Sequence, residues 1–272
     1  MKKTVLISGA IILLTVTVVA IYFFQFNTKQ RTAAADLGFD QWMIEHLAAS
    51  DNYTITLDIP EESTGNRWIN LDSMATVPFF SWLDRRLYEG PSTLTIKVSK
   101  STQTASFDDG IDLYFLSLRN DDVYTYFPLG NGHYDAHGLK NPKAAKYIHT
   151  ILFSKNADLF KSTFPSEDAE ISPGHIKLTR KIDSTPFLAS FLHGDELPPR
   201  NTIRIAMETL DSSEPEVTMS CEFAQLLADI SALLYNEDTP KSDTNIGDYH
   251  LNITINQFDQ TGPVLLPDPS LL

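Results

Sequence analysis

The sequence predicts an α+β protein in which an N-terminal transmembrane helix precedes an antiparallel β-sheet with helices packed on one face. An uncharged apolar run, residues 4–24, opens the chain. It is followed by short segments in which apolar and polar residues alternate between tight turns, a pattern typical of an antiparallel meander. Other segments between these have apolar residues at helical spacing, most clearly residues 224–236.

The apolar run is long enough to cross a bilayer as a helix, since about 20 residues span the hydrocarbon core. A cleaved signal peptide has a shorter apolar core of about 7–15 residues, and no cysteine lies directly after the run to accept a lipid. We interpret residues 1–24 as a retained signal anchor, 25–36 as a polar tether and 37–272 as an extracytoplasmic α+β domain. The predicted location is the cell membrane, with a single span.

Charge and cysteine content narrow the classes of function. Beyond Lys2 and Lys3 the chain has 19 basic and 35 acidic residues, a net charge of −16 that repels nucleic acid at long range. Cys221 is the only cysteine, which excludes an intrachain disulfide and a cysteine-based zinc cluster. The chain has no G-x-S-x-G motif and no glycine-rich phosphate-binding pattern. We therefore predict no enzymatic activity, no cofactor and no nucleic-acid partner.

The strands are predicted from alternation. In the first half they are "NYTITLDIP", "STLTIKVS", "TQTASF", "IDLYFLSL" and "VYTYFP", with a hairpin turn at "DDG"; in the second half they are "GHIKLTRKI", "NTIRIAMETL", "EVTMSCEF" and "GDYHLNITINQF". Helices are predicted for residues 39–49, 142–153, 185–193 and 224–236, and a short one for 156–163. The proline-rich tail "GPVLLPDPSLL" is predicted to be extended.

The strands "YTITLDI", "LTIKVS", "DLYFLSL" and "VYTYFP", with the helices that interrupt them, resemble the lipoprotein-carrier-like proteins of the bacterial envelope, the LolA and LppX type. The resemblance covers residues 37–266. It implies that the sheet is curved into a half-barrel, that helices fill the concave face, and that acyl chains bind between the two. Many members carry a lipidated cysteine, which this chain lacks; its transmembrane anchor would replace that attachment.

Two aromatic segments, residues 73–88 and 185–193, are the candidates for lining such a cavity. The predicted ligand-binding residues are Phe79, Phe80, Trp82, Leu83, Phe187 and Phe191. Apolar side chains from two such segments against a sheet can enclose a lipid or another apolar ligand. Ordinary core packing is the alternative interpretation of the same residues.

The segment "GNGHYDAHG" places His133, Asp135 and His137 at every second position. On an extended chain the three side chains would share one face, as ligands of a transition metal do. The three glycines instead favour a solvated polar loop, so we predict no metal site. Three functions remain: a non-catalytic lipid-binding protein, a cell-surface structural or protein-interaction module, and a metal-dependent hydrolase built on this segment.

Overall fold

The computed structural model describes residues 34–59, 93–120, 122–140, 145, 148–157, 166–183, 202–222 and 250–271. In these ranges no helix is long and apolar enough to cross a bilayer. The predicted anchor, residues 1–24, lies outside the described residues.

Among the described residues, eleven strands form one open sheet in which every neighbouring pair is antiparallel, as the alternation predicted. They are β1 (Asn52–Asp58), β2 (Thr93–Ser99), β3 (Thr104–Asp108), β4 (Leu113–Arg119), β5 (Asp122–Gly130), β6 (His133–Lys140), β7 (Asp168–Ser172), β8 (His175–Asp183), β9 (Thr202–Leu210), β10 (Glu216–Glu222) and β11 (His250–Asn256). The spatial order is β6-β5-β4-β3-β2-β1-β11-β10-β9-β8-β7. The chain therefore runs outward from the central strand β1 to β6, and then inward from the opposite side, β7, to β11.

One face of the sheet is buried and apolar, and we call it the inner face. Its centre is Ile55 of β1, which pairs with Ile96 of β2 and Ile255 of β11. All three side chains have no exposed surface. Because successive side chains in a strand point to opposite faces, Thr54 and Thr56 lie on the other, outer face.

The N-terminal helix α1 (Ala34–Met43) continues into a π-helical turn, Ile44–Ala48. It confirms the amphipathic helix predicted for residues 39–49, and it begins earlier, inside the segment interpreted as a tether. Phe39, Met43 and Leu47 are almost completely buried. The helix contacts β7 and β8, so it packs on one side of the sheet.

Residues 133–140 form strand β6, so the prediction of a solvated loop for this segment was wrong. The three glycines have different roles. Gly130 and Gly132 lie at the β5–β6 turn with φ of 87° and 77°, where L side chains are strained. Gly138 lies beneath the ring of Tyr124, and a Cβ atom there would stand 3.0 Å from Tyr124 Cε1.

Strand β7 was missed because all five of its residues are exposed and no buried alternation marks it. The described part of the helix predicted for residues 142–153 is helical, at Ala145 and from Ile148 to Phe153. The predicted helices at 185–193 and 224–236, and most of the one at 156–163, lie outside the described residues.

The C-terminal segment, which was predicted to be extended, forms neither helix nor strand before a short 3-10 turn at Pro269–Leu271. It crosses the outer face over β3 to β5. Val264 packs there with Phe115 and Tyr126, and its carbonyl oxygen accepts a hydrogen bond of 3.0 Å from Thr104 Oγ1. The tail thus covers part of the outer face at β3 to β5.

Candidate functional site

Three long connections start and finish at the same end of the sheet, which we call the upper rim. The pairs Asp58–Thr93, Asp183–Thr202 and Glu222–His250 are cross-strand neighbours at that rim. Each pair is joined by a connection far longer than a hairpin turn. Two of these connections contain the aromatic segments 73–88 and 185–193.

The two aromatic segments are attached to the rim four strand spacings apart, which is about 19 Å at about 4.8 Å per strand. The third connection, which includes residues 224–236, is attached midway between them. The six predicted ligand-binding residues, Phe79, Phe80, Trp82, Leu83, Phe187 and Phe191, all lie outside the described residues. The structure thus describes the sheet to which the two segments are joined. That the segments line a ligand cavity remains a prediction.

Below the rim, the inner face is a continuous apolar surface across four strands. Its side chains are Leu94, Ile96 and Val98 of β2, Tyr53, Ile55 and Leu57 of β1, Leu251, Ile253 and Ile255 of β11, and Val217, Met219 and Cys221 of β10, all at most 3% exposed. Cys221 is a buried free thiol among them. These side chains have almost no contact with water. An apolar ligand must therefore enter between the inner face and the residues packed against it.

A buried charged cluster interrupts the inner face on β8. Arg180 is 1% exposed, and its Nε donates to Asp36 Oδ1 of α1 at 3.1 Å. Its Nη2 donates to the same oxygen and lies 3.9 Å from Asp40 Oδ1. The backbone N–H and the hydroxyl of Ser166 donate to the other Asp36 oxygen at 3.2 and 3.3 Å. Because helix α1 covers it, this cluster fastens the helix to the sheet and is closed to a ligand.

The other end of the N-terminal helical segment is held by Lys100, which follows β2. Its Nζ donates to the carbonyl oxygens of Leu47 and Ala48 and stands 5.3 Å from the centre of the Tyr53 ring. Tyr53 in turn donates to the carbonyl oxygen of Leu152 at 2.8 Å. Burial, and then the charge of Lys155, lower the pKa of Lys100 to about 8, while burial raises the pKa of Tyr53.

The lowered pKa of Lys100 predicts that stability rises with pH above about 8. Between about pH 8 and 10.5 the unfolded chain keeps a proton on Lys100 that the folded chain has released, so higher pH favours the folded state. From pH 8 to about pH 9.5 we expect a gain of about 1.5 kcal/mol. Above about pH 10 the raised pKa of Tyr53 acts in the opposite sense.

Urea denaturation of the wild type and of Lys100→Met at several pH values between 8 and 9.5 measures this gain. The other titrating groups are common to both proteins, so the difference between the two curves isolates Lys100. Parallel curves would contradict the prediction.

The residues of the hydrolase hypothesis lie on β6. Asp135 and His137 point to one side of the strand, and His137 Nε2 lies 2.9 Å from Asp135 Oδ2. The His137 ring also packs edge-on against Phe127, with centroids 5.5 Å apart. Among the described residues, no group of three or more His, Cys, Asp or Glu side chains is placed to hold a metal ion. His133 therefore does not complete a site with this pair.

No model of a known protein family matches the chain, and no curated protein matches its sequence. Among solved structures, the crystal structure of LprF from Mycobacterium bovis aligns with 88% of this chain and 99% of its own, with 10% sequence identity and a TM-score of 0.40. The chain is similar to LprF.

Proposed function

We propose that the protein is a membrane-anchored, extracytoplasmic, non-catalytic protein that binds a lipid or another apolar ligand. The ligand lies between the inner face of the sheet, curved around it as a half-barrel, and the segments 73–88 and 185–193. The observation that carries the proposal is that both aromatic segments join the same rim of a sheet whose inner face is apolar. The signal anchor, residues 4–24, keeps the binding domain at the outer surface of the membrane.

Burial of apolar surface supplies the binding energy in this proposal. Each methylene of an acyl chain that leaves water contributes about 0.8 kcal/mol. Phe79, Phe80, Trp82, Leu83, Phe187 and Phe191 offer only apolar or aromatic surface to such a chain. The buried cations of the inner face, Arg180 and Lys100, are already bonded within the protein. Binding is therefore expected to depend little on salt concentration.

The test uses Trp82 as a probe in the chain from Ala34 onward with Trp42 and Trp68 replaced by Phe. Titration with a fatty acid brominated on its chain should quench the remaining tryptophan, because bromine quenches on contact. Phe187→Asp combined with Phe191→Asp should weaken this binding strongly, since a carboxylate in an apolar site is costly to desolvate.

The matched control is Leu129→Asp, which changes an exposed apolar residue (67% exposed) at the end of β5 and should leave binding unchanged. Native mass spectrometry of the same protein should show copurified lipid. Absence of quenching together with absence of lipid in the mass spectrum would leave the cell-surface interaction module as the better interpretation.

A further inference from the structure

The outer face of strands β8 to β11 carries a cavity of about 320 Å³ that has no part in the proposed lipid site. Its lining includes Ala206 and the strand segments at Met207, Met219 and Ile253, together with six polar side chains: Lys177, Glu208, Thr218, Ser220, Asn252 and Thr254. Each of the last four alternates along its strand with residues whose side chains are buried on the inner face, such as Met219 and Ile253. The cavity is therefore on the opposite side of β10 and β11 from the apolar surface that these two strands share with β1 and β2.

The strand register arranges these side chains as a grid. Glu208, Thr218 and Thr254 stand side by side in one row, because Thr218 pairs with both of the others. Ser220 and Asn252 are neighbours in the next row, beside Ala206. Adjacent strands are about 4.8 Å apart, so the cavity presents closely spaced hydroxyl and amide groups on a rigid support.

Within the described residues, four of these polar side chains have no partner in the protein. In the part of the chain that the structure describes, the side chains of Thr218, Ser220, Asn252 and Thr254 make no hydrogen bond to the protein. One row below, on the same two strands, the corresponding groups are paired: Asn256 Nδ2 donates to Glu216 Oε2 at 3.1 Å. The cavity thus keeps donors and acceptors available for a ligand.

The charge of the cavity is balanced. Lys177 and Glu208 are cross-strand neighbours of opposite sign, and Glu208 Oε1 is also 2.6 Å from His175 Nε2. The whole chain has a net charge of −14, which disfavours an anionic ligand at long range. A hydrocarbon ligand would leave the hydroxyl and amide groups unpaired, which is costly. A neutral ligand rich in hydroxyl groups satisfies them, since it both donates and accepts hydrogen bonds.

We propose that this cavity binds a neutral sugar residue of an oligosaccharide or glycan. Hydroxyl groups of the sugar form hydrogen bonds with the hydroxyl groups of Thr218, Ser220 and Thr254. The side-chain amide of Asn252 offers both a donor and an acceptor. Ala206 has only a methyl group, which leaves room for the sugar ring. This site is independent of lipid binding, because it lies on the opposite face of the sheet.

Binding is measured on the full-length chain in a detergent without a sugar headgroup, by calorimetry and by saturation-transfer NMR. The probes are a short neutral glucan, a short N-acetylglucosamine oligomer and an acidic oligogalacturonate. At least one neutral probe should bind, and the acidic probe should bind more weakly than that one. Failure of both neutral probes, or tighter binding of the acidic one, would overturn the proposal.

Variants then locate the site. Thr218→Val and Thr254→Val each remove one hydroxyl at nearly constant shape and should weaken binding about fivefold to tenfold. Ala206→Leu fills the cavity without removing a polar group and should abolish binding. Thr95→Val is the matched control, because Thr95 lies on the outer face of β2 outside the cavity, and it should bind like the wild type. Binding that survives Ala206→Leu would place the sugar elsewhere. Lipid binding by all of these variants should be unchanged. A negative result for sugar binding therefore leaves the lipid-binding proposal standing, and the reverse also holds.

Discussion

Replacing Arg180 by Met is expected to lower the free energy of unfolding by about 3–5 kcal/mol. Arg180 is 1% exposed and holds Asp36 through two hydrogen bonds to one oxygen. Its guanidinium group also lies 5.6 Å from the centre of the Phe39 ring. Without it, the buried carboxylates of Asp36 and Asp40 lose the cation that compensates their desolvation. Urea denaturation followed by tryptophan fluorescence measures the loss.

The neighbouring strand offers a matched control for this variant. Arg204 of β9 is 66% exposed along its side chain and lies 3.6 Å from Glu167, so Arg204→Met should cost less than about 1 kcal/mol. The reciprocal change Asp36→Leu should be nearly as harmful as Arg180→Met, and the double variant should cost less than the sum of the two. Additive losses would show that the two side chains are not coupled.

Ile55→Ala is expected to cost about 2–5 kcal/mol of stability. Ile55 is fully buried on β1, between Ile96 and Ile255, which are fully buried as well. The cavity left behind would lie where strands β1 to β6 meet strands β7 to β11, which join through the β1–β11 pair. Neighbouring strands hold these side chains in register, so collapse around the cavity is limited.

Thr56→Ala in the same strand is the control, because its side chain is half-buried on the outer face. It should cost no more than about 1 kcal/mol, the range of strand propensity. An equal loss for the two variants would mean that the two faces of β1 are packed alike. The same urea titration measures both.

Most strands could be predicted from alternation because each strand buries one face and exposes the other. The predictions failed where that contrast disappears. Strand β7 is exposed on both faces. Strand β6 is largely exposed, with Gly130 and Gly132 just before it and Gly138 within it. A side chain at position 138 would crowd the ring of Tyr124 on the neighbouring strand. No local pattern in the sequence reveals this contact.

The charged cluster shows a different limit. Alternation places Arg180 on the same side of β8 as Ile176 and Leu178, so its inward direction follows from the strand pattern. Its partner could not be found in this way, because Asp36 lies 144 residues earlier. Asp36 belonged to the segment interpreted as a tether, and only the packing of α1 on β8 gives it a structural role.

The polar cavity depends on register in the same way. Thr218, Ser220, Asn252 and Thr254 are ordinary outward-facing strand residues in the sequence. They become neighbours because β10 and β11 pair across a connection of 27 residues, 223–249. Local alternation is a property of one strand and can be read from its residues. Pairing between distant strands results from burial of an apolar face that many strands build together, which no single strand reveals.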